Sequence, residues 1–413
     1  MATAASAGAG FGYSLIWALV FSTIACYILH EASARITVVS GLNLGEAMRK
    51  EYGHTRIGRF TIYLALVAII TGCAAYEAGN VLGAVAGIKL ISAGIPLILI
   101  MSAIGLIAAV VLWKGTIRQI AAILGVIVAF MGVSFLITVL MMPHDFSAMI
   151  SYGLWPSIQP GSELLVLGLI GTTVVPYSIF LGSGIKHDQS PSEMKVSMMI
   201  AIGLGGVISI AILLTGTAVI GEFSFESLAE TLDSQLGSGA RLLLAVGLFG
   251  AGLSSALTAA LAASITAKSL LSKDSGDPDW AEDGKWFRVI WIAVLGTGLF
   301  FGMMQLQPVP IIILAQALNG LILPIIAVIL FLLMNNERVL PGEYQNGHLY
   351  NLTMAIVVYL TLLIGVTNLF RAGSRMLGLE TIDEGLLVLI SFGIFLIVII
   401  PTVKRLYESD PSI

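Results

Sequence analysis

The sequence predicts an all-α polytopic membrane protein, and three observations carry that expectation. Of its 413 residues 57% are hydrophobic and only 11% charged, with a mean hydropathy of +0.98, whereas a soluble domain carries about a quarter charged residues. Eleven apolar runs are each long enough to cross a bilayer as a helix, which takes about 20 residues. The segments between them are short, so residues 1–413 read as a single transmembrane domain with no soluble partner domain.

The runs lie near 11–33, 57–88, 93–113, 118–142, 163–185, 194–220, 240–268, 285–304, 309–334, 350–370 and 384–402. Several exceed the crossing length, which implies tilt or ends that project into water. The longest connections are 34–56, 143–162 and the polar 273–284, "KDSGDPDWAEDG". Alternate connections share their lysines and arginines unevenly: 16 of the 20 fall in or beside the set that contains 34–56 and the C-terminus. Positive residues mark cytoplasmic loops, so 34–56, 273–284 and the C-terminus are expected inside, and residue 1 outside. The setting fits the cell membrane of a bacterial type, with the lipid bilayer as solvent.

Composition also excludes. A net charge of −4 with no basic stripe gives no footprint for nucleic acid. Cys26 and Cys73 sit inside apolar runs with no disulfide or zinc spacing. No nucleophile-base or acid-pair constellation appears, so no enzyme is expected, no cofactor is implied and no obligate protein partner is inferred. His54, His187 and His348 fall in connections without metal-ligand spacing.

One run is anomalous. The span 163–185 contains "GLIGTTVVPYSIFLGSG", Gly168 to Gly184, with Pro176 at its centre. Proline removes a backbone donor and clashes with the carbonyl one turn back. In hydrocarbon the freed groups have no water to turn to, unless the broken segment lines a cavity. Broken helices of this kind come in pairs in inverted-repeat membrane proteins and form a central site. With a five-helix repeat, the partner of the fifth span would fall just before Met1. The opening "MATAASAGAG" is small, uncharged and glycine-rich, so 1–10 reads as the remnant of a first broken helix in an N-terminally truncated chain.

Four segments together resemble the Nramp divalent-metal transporters. "SARITVVSGLNLGEAMRKEYG" (33–53) is similar to the segment after their second helix, and "GLFGAGLSSALTAALAASITAKSL" (247–270) to their eighth helix. "AQALNGLILP" (315–324) is similar to their tenth, and the proline-broken stretch to their sixth. The resemblance implies a LeuT-like inverted-repeat fold with a metal site between broken helices one and six. The family's Asp-Pro-Gly-Asn motif of the first broken helix has no counterpart here.

Carried over residue by residue, the family's sixth-helix motif Ala-Thr-Val-Met-Pro-His falls on Thr172, Thr173, Val174, Val175, Pro176 and Tyr177, followed by Ser178 where Asn is usual. The resemblance makes Thr172 a metal ligand through its carbonyl, and puts Thr173, Val175, Pro176, Tyr177 and Ser178 on the transport path. Gln316 matches a tenth-helix glutamine that lines the family's site and is the second expected metal ligand. Glu77 and Asn80, in "AAYEAGNVLG", match two acids of the family's proton route, one of them now an amide, and stand one turn apart on one helical face.

The substitution at Val175 sets the expected cargo. A thioether is a soft ligand that favours transition metals, whereas Mg2+ wants oxygen and keeps much of its water. The expected substrate is therefore a divalent cation, Mg2+ with Mn2+ tolerated. Tyr177 in the histidine position is a poor proton relay, since tyrosine titrates near ~10 against about 6.5 for histidine, so proton coupling is not expected. The competing readings are a proton-coupled Mn2+/Fe2+ transporter, an organic-substrate symporter on the same fold, and a non-transporting remnant. "MMPH" (141–144) holds the family's Met-Pro-His tripeptide but reads as a helix end. Ser254, Ser255 and Thr258 read as helix-packing residues, and His30, Glu31 and Arg35 as an interfacial charge cluster.

Overall fold

A computed structural model describes the chain except residues 116, 185–189, 238, 273–275, 305–306, 378–382 and 410–413. His187 and the start of the polar loop 273–284 lie outside the described residues. The described residues form sixteen α-helices: α1 (Ala2–Phe11), α2 (Ile16–Ser40), α3 (Leu44–Tyr52), α4 (Arg56–Ile91), α5 (Leu97–Lys114), α6 (Ile117–Met141), α7 (Phe146–Leu154), α8 (Glu163–Thr173), α9 (Pro176–Gly184), α10 (Pro191–Gly216), α11 (Phe225–Leu236), α12 (Gly239–Leu271), α13 (Lys285–Met303), α14 (Pro308–Met334), α15 (His348–Leu377) and α16 (Glu384–Ser409). Among the described residues ten spans are long and apolar enough to cross a membrane, with α8 and α9 counted as one broken span, and a shorter apolar stretch, Gly385–Ile400, falls at the eleventh expected position.

Local chemistry starts and stops these helices. Asn43 with Glu46 and Ser190 with Glu193 form capping boxes that open α3 and α10, each satisfying donors a helix start leaves bare. Gly41, at φ 69°, ends α2 in the left-handed region open to a residue without Cβ. Pro176 opens α9, where its missing N–H is no loss.

The first expected span differs from what is found. The span expected at 11–33 is shifted: α2 starts at Ile16 and runs on to Ser40, and a separate helix, α1, buried over Ala2–Gly8, precedes it. Gly12, at φ 57°, makes the turn between them. The polar end of α2 stays helical and buried because Arg35 is paired. Its Nη2 lies 2.6 Å from Glu31 Oε2, and Lys195 of α10 lies 3.5 Å from the other Glu31 oxygen. The Tyr350 hydroxyl of α15 donates to Glu31 as well. Glu31 and Arg35 thus form a structural cluster, as expected, but a buried one that ties three helices together.

Two packing groups emerge. In one, α4 lies along α12 and against α13. In the other, α10 packs on α1 and α2, and α2 carries both α8 and α9. Between them stands α14, which touches α8 and α4. The break between α8 and α9 therefore faces the junction of the two groups.

Candidate functional site

Pro176 has no N–H, so the carbonyl one turn earlier, that of Thr172, loses its helical donor. The chain leaves helical geometry at Val174 (φ −104°, ψ 86°), and α9 starts two residues later. Beside this break lies a cavity of about 120 Å³ whose wall includes Met1 and Ala2 of α1, Tyr76 and Asn80 of α4, Thr172 of α8, Ser255 of α12 and Gln316 of α14. It has room for several waters, since one needs about 10–15 Å³ of such space.

The polar groups in this wall are hydroxyls and amides. The Tyr76 hydroxyl lies 3.4 Å from Thr172 Oγ1. The Thr3 hydroxyl donates to the Gln316 side-chain oxygen, which ties α1 to α14 across the site. The Asn80 amide nitrogen is buried without a hydrogen-bond partner. Apart from Met1 the lining contributes no sulfur, and it contributes no carboxylate. Among the described residues no three His, Cys, Asp or Glu side chains converge.

Of the residues singled out from the sequence, the cavity collects Thr172, Gln316 and Asn80. Glu77 does not join them. Its side chain packs against Gly298 of α13, fully buried, and neither carboxylate oxygen has a hydrogen-bond partner. A spacing of three residues turns a helix by about 300°, leaving the two side chains roughly 60° apart. Side chains at that spacing are neighbours on one helical face; on it Asn80 borders the cavity and Glu77 packs beside Gly298 of α13. Thr173 bonds back to the Leu169 carbonyl at 2.9 Å. Val175 is buried in the break rather than in the cavity wall. Tyr177 packs edge-on against Tyr76, ring centroids 5.7 Å apart, and touches the site through that ring without lining it.

Two residues differ from their expected roles, and others went unnoticed. Ser255 lines the cavity instead of only packing helices. His30 is not in the charge cluster: its Nε2 lies 2.9 Å from Ser178 Oγ, at the first turn of α9. Met1 lines the cavity as well. Tyr76 and Thr3 carried no sequence signal beyond being polar in an apolar run. The Met-Pro-His tripeptide (142–144) follows the end of α6, where His144 Nδ1 meets the Tyr13 hydroxyl at 3.1 Å, away from the break.

A family model described as natural resistance-associated macrophage protein-like, Nramp, matches residues 1–371. The chain belongs to the Nramp family. The Deinococcus radiodurans divalent metal cation transporter MntH is 28% identical over 288 residues, 64% of this chain and 64% of that protein. The match thus spans under two thirds of that relative's length. The Pectobacterium carotovorum MntH is 24% identical over 364 residues, 84% of each chain. Among solved structures, a manganese transporter of Eremococcus coleocola superposes with a TM-score of 0.70 at 20% identity, covering 98% of this chain and 91% of its own. Nramp membership fits the all-helical, LeuT-like architecture and makes the chain a multi-pass membrane protein of a transporter family.

Proposed function

We propose that this Nramp chain carries divalent metal cations across a cell membrane of bacterial type, Mg2+ foremost with Mn2+ tolerated, and largely without proton coupling. Its C-terminus would face the cytoplasm. The observation that carries the reading is the cavity beside the helix break, walled by Thr172, Asn80, Gln316, Ser255 and Tyr76, with Val175 at the break itself. Oxygen and amide groups around space for several waters suit a hard cation that dehydrates reluctantly. A buried valine offers no soft ligand to favour a transition metal. The names of similar proteins, divalent metal cation transporter and manganese transporter, support a divalent cargo that includes Mn2+.

In this reading an ion enters with part of its hydration, and the Thr172 carbonyl freed by Pro176 replaces one water. Gln316 can release Thr3 and turn its side-chain oxygen to the ion. Asn80, Ser255 and Tyr76 hold the retained waters. A membrane potential supplies roughly 2.3 kcal/mol per elementary charge per 100 mV, so a divalent ion needs no proton partner to be drawn in.

Uptake into proteoliposomes holding a magnesium-sensitive dye, beside a second set holding a pH dye, tests both parts. The expected result is Mg2+ entry in the millimolar range with no acidification. Exclusion of Mg2+ together with Fe2+ or Cd2+ uptake at low concentration overturns the cargo, and metal-driven acidification overturns the uncoupling. Glu77 favours a second reading, proton-coupled Mn2+ transport, because a fully buried carboxylate without a hydrogen-bond partner is suited to holding a proton. Glu77→Gln abolishes acidification in that reading and leaves Mg2+ entry unchanged in the first.

A further inference from the structure

We infer that His30 is a positioning residue that fastens the second half of the broken helix to α2, so that α9 moves as part of α2 rather than hinging freely at Pro176. The significance for transport rests on the function proposed above, but the mechanical claim does not. A nine-residue helix is too short to hold itself together, since isolated helices below about 12–15 residues are marginal. α9 also packs on α12, but its side-chain hydrogen bonds to α2 come from a row of residues on one face of that helix. His30 Nε2 reaches Ser178 Oγ at 2.9 Å, Ser33 donates to the Ile179 carbonyl at 3.0 Å, and Thr37 donates to the Ser183 carbonyl at 2.9 Å. Spacings of three and four residues place these three side chains on one stripe. At the far end the Leu44 amide donates to Ser183 Oγ at 3.1 Å.

The His30 contact differs from the other two because it touches the break. Its Nδ1 lies 2.9 Å from the Cys26 carbonyl, which can only accept, so Nδ1 carries the hydrogen. A neutral ring then leaves Nε2 as an acceptor. The Ser178 hydroxyl has a single hydrogen and two acceptors in reach, Nε2 at 2.9 Å and the Val175 carbonyl at 2.7 Å. His30 therefore competes with the backbone of the break for one hydrogen. The imidazole sets how firmly the Val175 carbonyl is held while keeping α9 against α2.

Amide hydrogen exchange of the full-length protein in nanodiscs, with no metal added, reads this directly. His30→Ala should speed exchange across 176–184 by about tenfold, the loss of one net hydrogen bond, and leave 163–173 unchanged. His30→Gln, whose side-chain amide oxygen can accept where Nε2 accepts, should restore protection. Unchanged exchange in 176–184 overturns the inference, and so does an equal rise in both halves, which is general destabilisation. If His30→Ala does not fold, Thr37→Val takes its place, with faster exchange expected at the Ser183 end and unchanged exchange there again overturning the claim. In proteoliposomes His30→Ala should cut the maximal Mg2+ uptake rate several-fold at unchanged KM, since it removes nothing from the cavity wall. A raised KM at an unchanged maximal rate contradicts a positioning role. If the unmodified protein moves no Mg2+, the function proposed above fails while the exchange result still decides this one.

Discussion

The α4–α12 seam and the α2–α9 contact are built on opposite principles. At the first, side chains are removed so that backbones can meet. A Cβ on Gly252 would stand 2.5 Å from the Ala84 amide nitrogen and 2.6 Å from the Asn80 carbonyl, and one on Gly87 would strike the Ala245 carbonyl of α12. At the second, hydroxyls and an imidazole are added so that the two helices are hydrogen-bonded side chain by side chain. Small residues give close van der Waals contact, the main source of helix association in lipid. Polar side chains give fewer, directional contacts that can be exchanged one at a time. The cavity lies where these two kinds of contact adjoin, with Asn80 on the close-packed side and Thr172 on the hydrogen-bonded side.

The largest effect should come from the ion cluster that anchors α2. Removing one partner of a buried pair leaves an uncompensated charge and costs about 3–5 kcal/mol. Glu31→Ala strands Arg35 on a helix that also carries α9. A large drop in thermal stability in detergent is expected, with Glu31→Gln less damaging because it keeps the acceptor for Tyr350. Stability equal to the parent's would show that α2 does not depend on this cluster.

Next comes the close-packed seam. Gly252→Val forces two branches toward backbone atoms that cannot yield, and overpacking of this kind costs about 3 kcal/mol. Thr37→Val, on the other side of the comparison, loses one hydrogen bond worth about 1 kcal/mol. Melting temperatures of the two variants measured side by side should differ in that order. Equal shifts would mean the two contacts are not built differently after all.

The sequence shows this division unevenly. The spans are legible because hydrocarbon demands long apolar runs, and the break is legible because Pro176 has one physical meaning in such a run. Thr172 and Gln316 were found through motif resemblance. Tyr76, Thr3 and His30 were not, because each acts through a partner far along the chain: Thr172, Gln316 and Ser178. Glu77 and Asn80 show the limit of periodicity, since it puts them on one face but does not say that only Asn80 reaches the cavity wall. Arg35 read as a charge at a membrane interface, yet pairing with Glu31 lets it be buried.

Within the cavity the expected effects are smaller and specific to the cargo. Gln316→Leu keeps the volume, removes the amide and leaves the Thr3 hydroxyl without its acceptor. Loss of one polar contact to ion or bound water, about 1.4 kcal/mol, raises KM for Mg2+ roughly tenfold. Thr172→Ala should do less, because the proposed ligand is its carbonyl and only the hydrogen bond to Tyr76 is lost. A tenfold effect from Thr172→Ala with none from Gln316→Leu would invert the proposed ligand assignment.

The smallest structural change is the most diagnostic for selectivity. Val175 sits buried in the break, one residue before Pro176, and is absent from the cavity wall. Val175→Met adds a soft thioether on a flexible stem that can reach irregular space. It introduces no charge and disturbs no hydrogen bond, since the Val175 carbonyl stays with Ser178. If the thioether reaches the ion, Cd2+ and Mn2+ uptake should gain at low concentration while Mg2+, which has no use for sulfur, gains nothing. The ratio of Cd2+ to Mg2+ KM values in the two proteins is the measurement, because it cancels any general loss of activity from crowding at the break. A ratio that does not move would mean position 175 acts only in packing, and that selectivity is set by the hydroxyl and amide groups of the cavity itself.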